Sequence, residues 1–356
     1  MKTIFISTYC HWTSFGSMLQ SLALQQALKK LNVDSKTITF FEEESIPAIK
    51  KVSFGLNRNT INYLYQILNK KNLEYGRERC FNFIENNIRR VSISDKNSIY
   101  DELPIADIYI AGSDQIWHPE LNRDDFFLCY APKNKKKISY AASMGVVDIS
   151  PKRQERFKSL LQNIDSYSVR EEEMVSVIKK YTDKKVYQHI DPTFLVDKVA
   201  WKKYEKKYDI KEPYILVYAL YWDRAFNKKL RDLRKKTGYQ IISIQNSIRP
   251  IYSDKVIKDA GPSEFLWLIE HAKAIVTSSF HGTAFSIIFN KRFYPIINPN
   301  APSRINSLLK TLRVSVPLTI DKIMDYDTNY DFVNQNIKNE QNRGLEYLRS
   351  EIYSEE

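Results

Sequence analysis

Short runs of β-branched and aromatic residues alternate along this chain with longer stretches whose apolar positions recur every three or four residues. The run "TIFIS" at 3–7 predicts a strand. The stretch "SMLQSLALQQALKKLN" at 17–32 then sets Leu19, Leu22, Leu24, Leu28 and Leu31 largely along one face of a helix, with Lys29 and Lys30 at the end where the helix dipole favours cations. Further strands are predicted at 35–40, 107–112, 137–142, 166–169, 214–220, 239–244, 273–277 and 292–297, and helical stretches separate nearly all of them. Strands that are apolar on both faces and joined by helices belong to parallel α/β sheets covered on both sides. At 356 residues the chain exceeds what one core usually supports, so two such sheets are expected. The division falls near "HIDPTFLVDKVAW" (189–201), where Pro192 stops one unit and a helix from about Lys198 begins the next. The expected domains are 1–195, carrying a helical insertion at about 53–95, and 196–325. The tail at 326–356 reads as a closing helix with one interior glycine, Gly344.

Composition narrows the class of partner. A hydrophobic fraction of 43% with 27% charged residues is that of a folded globular protein. Lysine plus arginine, 54, minus aspartate plus glutamate, 42, leaves +12, which suits phosphorylated small molecules, nucleic acid or an anionic membrane surface. The basic clusters at 133–137 and 234–236 are dispersed and lack aromatic interleaving, and no zinc-finger spacing occurs, so nucleic acid is not expected. Cys10, Cys80 and Cys129 show neither pairing nor metal spacing, which points to a reducing cytoplasm. The start "MKTIFIST" lacks the long apolar segment of a signal peptide, and eighteen consecutive apolar residues occur nowhere.

Candidate chemistry lies at strand ends, where open α/β sheets collect ligands and helix N-termini present N–H groups to anions. In "VTSSFHGTAFSIIFNK" (276–291) a buried strand ends, and His281 and Gly282 fall in the break before a helix. Either His281 faces a substrate as general acid or base, or it is hydrogen-bonded within the loop. Gly282 permits close backbone approach, while Thr283 and Ser286 add hydroxyls. "AGSDQIWHP" (111–119) repeats the arrangement. Ser113 or Asp114 can cap a helix there, and Gln115 and Trp117 either reach a ligand or pack internally. Arg170 in "SYSVREEE" opposes the dipole of the helix it starts, so it requires a partner, either an anionic ligand or Glu171 to Glu173. Arg304, in the first turn of the helix that Ser303 caps, raises the same question. No cluster of His, Cys, Asp or Glu has metal-ligand spacing, and neither a Walker motif nor G-x-G-x-x-G occurs. The expected chemistry uses no metal and no cofactor.

Several segments together carry a more specific signal: "FGSMLQSLALQQALKKL" (15–31), "AGSDQIW" (111–117), "YAASMG" (140–145), "SVRE" (168–171), "DPTFL" (191–195), "GPSEFLWLIEHAKAIVTSSFHGTAFSIIFN" (261–290) and "SRINSLL" (303–309). In this order, across roughly residues 4 to 313, the chain resembles the polysaccharide pyruvyl transferase family. The resemblance implies two Rossmann-like domains facing a cleft, as in GT-B glycosyltransferases. It also implies transfer of a pyruvyl group from phosphoenolpyruvate to a sugar, usually as a cyclic ketal. His281 matches the family's catalytic histidine and Arg170 its donor-binding arginine. Ser279, Phe280, Gly282 and Thr283 fall on the donor side, and Gly16, Ser17, Ser113, Asp114, Gln115 and Trp117 on the acceptor or cleft side. Members of the family with an arginine two residues before the histidine grip the donor with it. This chain has Ser279 there, and Arg304 is the candidate to replace that charge. The expected protein is a cytoplasmic pyruvyltransferase acting on a surface polysaccharide or its lipid-linked precursor, drawn by its charge to the inner membrane face. The alternatives are a GT-B glycosyltransferase with a nucleotide-sugar donor and a non-catalytic glycan-binding relative. Retention of both His281 and Arg170 argues against the last.

Overall fold

The computed structural model describes residues 2–40, 65, 67–121, 123–223, 225–245, 251–298 and 303–354. Two five-stranded sheets are built alike. The first holds Thr3–Ser7 (β1), Asp34–Phe40 (β2), Arg90–Ile93 (β3), Ile108–Ala111 (β4) and Lys136–Ser139 (β5) in the order β3-β2-β1-β4-β5. Tyr167–Val169 (β6) and Val186–Gln188 (β7) pair with each other, and single bridges from Ile138 to Ser166 and from Ala142 to Val169 attach them beside β5. The second sheet holds Tyr214–Tyr218 (β8), Gln240–Ile244 (β9), Lys255–Ile257 (β10), Ala274–Thr277 (β11) and Phe293–Pro295 (β12) in the order β10-β9-β8-β11-β12. All pairings in both sheets are parallel. In each sheet the chain reverses its winding beside the first strand, and a crevice for ligands opens at such points. Each sheet is a Rossmann-like unit, as the resemblance implies.

The helices that matter below are Phe15–Lys30 (α1), Lys70–Asn87 (α2), Ile99–Glu102 (α3), Pro151–Leu161 (α4), Glu172–Ile178 (α5), Lys198–Lys202 (α6), Phe226–Thr237 (α7), Pro262–His271 (α8), Phe280–Ile288 (α9), Ser303–Leu312 (α10) and Tyr330–Tyr353 (α11). The nine expected strands are present. β3, β7 and β10 are additional, each of only three or four residues. The helical insertion expected at about 53–95 is corrected at its end. The helix stops at Asn87, Ile88 turns extended, and the β-branched pair in "RVSI" joins the sheet edge. Residues 53–64 lie outside the described residues.

α1 departs from the one-faced helix expected from its leucines. It is buried on almost every side, because it lies between the sheets. Leu24 and Leu28 pack with Ile4, Ile108 and Ile110 of the first sheet, whereas Met18, Leu19 and Leu22 join the cluster that holds Phe265 of α8, Phe285 of α9 and Leu216, Ile242 and Ile275 of the second sheet. The nitrogens of its buried amides are satisfied: Gln20 Nε2 donates to Thr8 Oγ1 at 3.0 Å and Gln25 Nε2 to Thr37 Oγ1 at 2.8 Å. α11 ties the two ends of the molecule together. Asn336 donates to the Leu312 carbonyl at 3.0 Å, Tyr347 Oη to the Ser139 carbonyl at 3.0 Å, and Tyr353 Oη to that of Leu31 at 2.6 Å. Gly344 sits where this helix crosses the first sheet. A Cβ there would run into the Tyr140 hydroxyl and lie 3.1 Å from Leu195 Cδ2, so close approach outweighs the roughly 1 kcal/mol that glycine costs a helix interior.

Candidate functional site

β11 ends at Thr277, and the break after it is Ser278–Ser279 rather than His281–Gly282. Ser279 is the N-cap of α9, its hydroxyl accepting from Gly282 N at 3.3 Å. Thr283 Oγ1 donates back to the Ser279 carbonyl at 3.1 Å, and Ser286 Oγ to that of Gly282 at 2.7 Å, so these hydroxyls serve the helix. His281 therefore projects from the first turn of α9.

Its imidazole is held on two sides. On one, Gly16 of α1 leaves only backbone against the ring. A Cβ at 16 would stand 2.8 Å from His281 Cε1 and closer still to Nδ1 and Cγ. On the other, Nε2 lies 3.7 Å from Asp191 Oδ2, an ion-pair distance too long for a hydrogen bond, and Nε2 is buried with no hydrogen-bond partner.

Asp191 caps the 3₁₀ turn Pro192–Leu195. Its Oδ1 accepts from Thr193 N at 3.0 Å and Oγ1 at 2.8 Å, and its Oδ2 accepts from Ser113 Oγ and Arg170 Nη1, each at 3.0 Å. Burial alone would raise this carboxyl, but His281, Arg170 and the Thr193 amide outweigh it and hold Asp191 well below the usual carboxylate range. It is ionised throughout the neutral range.

Arg170, at the end of β6, is 5% exposed. Its partners answer the question posed by its position: Nε donates to Glu171 Oε1 at 2.9 Å, Nη1 reaches Asp191, and the guanidinium lies 4.0 Å over the Phe280 ring. Burial works against its charge, but Glu171, Asp191 and Asp114 push it above the ordinary arginine range. Nη2 stays buried with no hydrogen-bond partner. Glu171 Oε1 also accepts from Ser143 Oγ at 2.9 Å.

Arg304, in the first turn of α10, donates from Nη1 to Gln115 Oε1 at 3.2 Å, and its Nε is buried with no hydrogen-bond partner. Burial, and then the nearby charge of Arg170, pull it below the ordinary arginine range. The two guanidiniums, Asp191, Phe280, Gln188 and Thr311 line one small recess that is partly open to solvent. Asp114 and Gln115 approach from the loop after β4. Asp114 adopts φ +75°, a left-handed conformation costly for a non-glycine residue, and its Oδ1 accepts from Gln115 N at 2.8 Å. Strained backbone of this kind clusters at functional sites.

The fold thus brings together His281, Gly16, Ser113, Asp114, Gln115, Arg170, Phe280 and Arg304. Two expected cleft residues lie elsewhere. Trp117 is fully buried, stacks on Phe127 at 5.6 Å and donates its indole N–H to the Phe126 carbonyl at 3.1 Å. The Ser17 hydroxyl donates to the carbonyls of His11 and Ser14 at the start of α1. Asp191 and Ser143 were not singled out as site residues from the sequence, and Glu171 entered only as one of the alternative partners of Arg170. The signal available for Asp191 was the Asp-Pro start of a capped turn, and for Glu171 the need of a buried arginine for a carboxylate. Among the described residues no group of three or more His, Cys, Asp or Glu is placed to hold a metal ion, and no helix is long and apolar enough to cross a membrane.

The frame and the site can be set beside known proteins. The chain is similar over 98–99% of its length to three solved structures. A UDP-GlcNAc 2-epimerase from Methanocaldococcus jannaschii shows 14% identity and TM-score 0.51, with 99% of that chain covered. A UDP-GlcNAc 2-epimerase from Neisseria meningitidis bound to UDP-GlcNAc shows 12% identity and TM-score 0.50, with 99% covered. UGT89C1 of Arabidopsis thaliana complexed with UDP shows 10% identity and TM-score 0.50, with 99% covered. At such identities the likeness establishes the GT-B fold. No curated protein sequence matches the chain. The family model for polysaccharide pyruvyl transferase matches residues 15–300, a span that runs from Gly16 through Arg170 and Asp191 to His281, and the chain belongs to the polysaccharide pyruvyl transferase family.

Proposed function

We propose that the chain moves the pyruvyl group of phosphoenolpyruvate onto a sugar of a surface polysaccharide or its lipid-linked precursor, closing it as a cyclic ketal. The observation that carries this reading is the pair of guanidiniums, Arg170 and Arg304. Each has a buried N–H without a hydrogen-bond partner, and they flank one recess beside His281 and Asp191. An anion seated between them would relieve their mutual repulsion and complete their hydrogen bonding. Phosphoenolpyruvate brings both a carboxylate and a phosphate.

His281 acts as general acid. It delivers a proton to the methylene carbon of the enol, which becomes a methyl group and leaves an oxocarbenium-like centre at the neighbouring carbon. One sugar hydroxyl adds to that centre and a second displaces phosphate. Of the two hydroxyl protons released, one restores His281 and the other departs with the phosphate. Ionised Asp191, 3.7 Å from Nε2, stabilises the imidazolium between steps, and Gly16 fixes the plane of the ring. The net charge of +12 suits work at an anionic membrane face. Turnover is tested with phosphoenolpyruvate and with nucleotide sugars, on simple glycosides and lipid-linked acceptors. One inorganic phosphate should appear per ketal formed. Turnover with nucleotide sugars alone would sink the reading.

A further inference from the structure

The two guanidiniums of the recess are held in different ways. Arg170 is fixed by the carboxylates of Glu171 and Asp191. Arg304 forms no ion pair among the described residues, and its one hydrogen bond there runs from Nη1 to the neutral Gln115 Oε1 at 3.2 Å. An arginine is long and rich in rotamers, and the like charge of Arg170 on the same recess repels it. The Gln115 amide is the polar group that holds Arg304 against both.

Gln115 is itself seated on bare backbone. A Cβ at Gly145 would stand 3.0 Å from Gln115 Cγ, 2.6 Å from Cδ and closer still to Nε2, so only glycine leaves room for the amide. Gly145 also takes φ +73°, in the left-handed region that glycine enters without strain. This seat is tied to the partners of Arg170. Gly145 N donates to Ser143 Oγ at 3.2 Å, Ser143 Oγ donates to Glu171 Oε1 at 2.9 Å, and the same oxygen accepts from Arg170 Nε at 2.9 Å. Ser143 N donates to the Asp114 carbonyl at 3.0 Å, which locks the loop after β4, carrying Gln115, to the loop after β5, carrying Gly145. One connected path thus runs from Arg170 through Glu171, Ser143, Gly145 and Gln115 to Arg304, and it sets the spacing of the two cations.

The amide suits this task because it is neutral. A carboxylate in its place would bond Arg304 more strongly but cancel its charge, as Glu171 and Asp191 do for Arg170. Resting on the function proposed above, we infer that Gln115, seated on Gly145, is a positioning residue of the donor site. It aims Arg304 at the recess before the anion arrives and leaves the charge of that arginine uncompensated. Such preorganisation raises affinity by removing the cost of ordering a side chain from the binding step.

The ordering of Arg304 is read first in the free protein. In the full chain with isotope-labelled arginine, its Nε–H signal is identified by its loss in Arg304→Lys. That signal should show the heteronuclear NOE of a fixed side chain in the parent and of a mobile one in Gln115→Ala, with the melting temperature and the Arg170 signal unchanged. Calorimetric titration with phosphoenolpyruvate should then show an affinity about three- to tenfold weaker in Gln115→Ala, the worth of about one hydrogen bond, and no further loss when the same change is made in Arg304→Ala. Gln115→Glu should keep Arg304 fixed and still weaken phosphoenolpyruvate at least about tenfold, because the new carboxylate answers the charge meant for the anion. Three results overturn the inference: an Arg304 as fixed in Gln115→Ala as in the parent, parent affinity in Gln115→Glu, or an equal loss in both backgrounds, which marks direct contact between Gln115 and the donor. If Gln115→Ala does not fold, Gln115→Met, which keeps the length and removes the amide oxygen, is read in its place. The same data separate the two proposals. An Arg304 freed by Gln115→Ala in a chain that binds no phosphoenolpyruvate retains the positioning role and removes the donor reading. Phosphoenolpyruvate binding with Arg304 fixed in every variant does the reverse.

Discussion

Replacing Gly16 by alanine tests the contact on which the orientation of His281 depends. The added Cβ would stand 2.8 Å from Cε1 and closer to two other ring atoms, so either the imidazole or the start of α1 must shift. Overpacking of this kind costs about 1–3 kcal/mol. Alanine in place of glycine in a helix returns up to about 1 kcal/mol, less near its first turn. The expected net change is a loss of about 0–3 kcal/mol. In a His281→Ala background the clash is gone and only the helix-propensity gain remains, so the same substitution should become neutral or stabilising. This reversal of sign is read from denaturation midpoints of the four proteins of the double-mutant cycle. Turnover of Gly16→Ala should fall about 10²-fold, because a misplacement of about 1 Å is enough to cost that much. Parent-like turnover in Gly16→Ala, or an equal stability change in both backgrounds, would show that the packing does not orient the ring.

His281→Gln should lose about 10² to 10⁴ in turnover with little change in melting temperature, as for a positioned acid; a variant that stays active but unfolds would make this histidine structural. His189 gives a pH prediction independent of the reaction. It is 4% exposed, bonds Ser168 Oγ through Nδ1 at 2.9 Å, and is lowered to about 4 by burial and then by the charge of Arg343. Above about pH 6.5 both folded and unfolded forms are neutral there. Between about 6.5 and 4 only the unfolded chain takes up the proton, so stability should fall by about 3 kcal/mol as pH drops through that window. Denaturation midpoints across this range should lose that part of their slope in His189→Phe, and an unaltered slope would assign the effect to other groups.

What the sequence could reveal depended on how local the cause was. β1, β4, β8 and β11 are buried on nearly all positions and announce themselves as apolar runs. β3 and β10, edge strands of three or four residues, are too short to show a period. His281 was legible because a histidine beside glycine at a strand end is unusual, but the break was placed late because Ser279 caps through a side chain. Arg170 was legible as a charge opposed to its own helix. Its second carboxylate, Asp191, belongs to a turn on the far side of β7, and no spacing rule joins them. Trp117 was ambiguous because indole suits both cleft and core, and only the Phe126 carbonyl that satisfies its N–H decides.

The same partner lists separate the two arginines of the recess in a way their residue type could not. Arg170 is bonded to Glu171 and Asp191, two buried carboxylates, so it brings no net positive charge to a donor. Its removal would leave both carboxylates buried without a cation, which costs about 3–5 kcal/mol of stability. Arg170→Ala should therefore melt early whether or not the donor is bound there. Arg304 is bonded to the neutral amide of Gln115, and deleting it orphans no charge. Lys291 cannot take its place, because its ammonium is committed to the Glu270 carbonyl at 2.7 Å beyond the far end of α9. Arg304→Ala should keep its melting temperature and lose about 2–5 kcal/mol of phosphoenolpyruvate affinity, the cost of truncating one partner of a close charge pair. Arg304→Lys should recover only part, since lysine lacks the planar fork. Calorimetric titration alongside thermal melts decides between these roles. Undiminished affinity in a well-folded Arg304→Ala would leave the anion charge of phosphoenolpyruvate facing Asp191 and Glu171 uncompensated, and the two-arginine clamp could not stand.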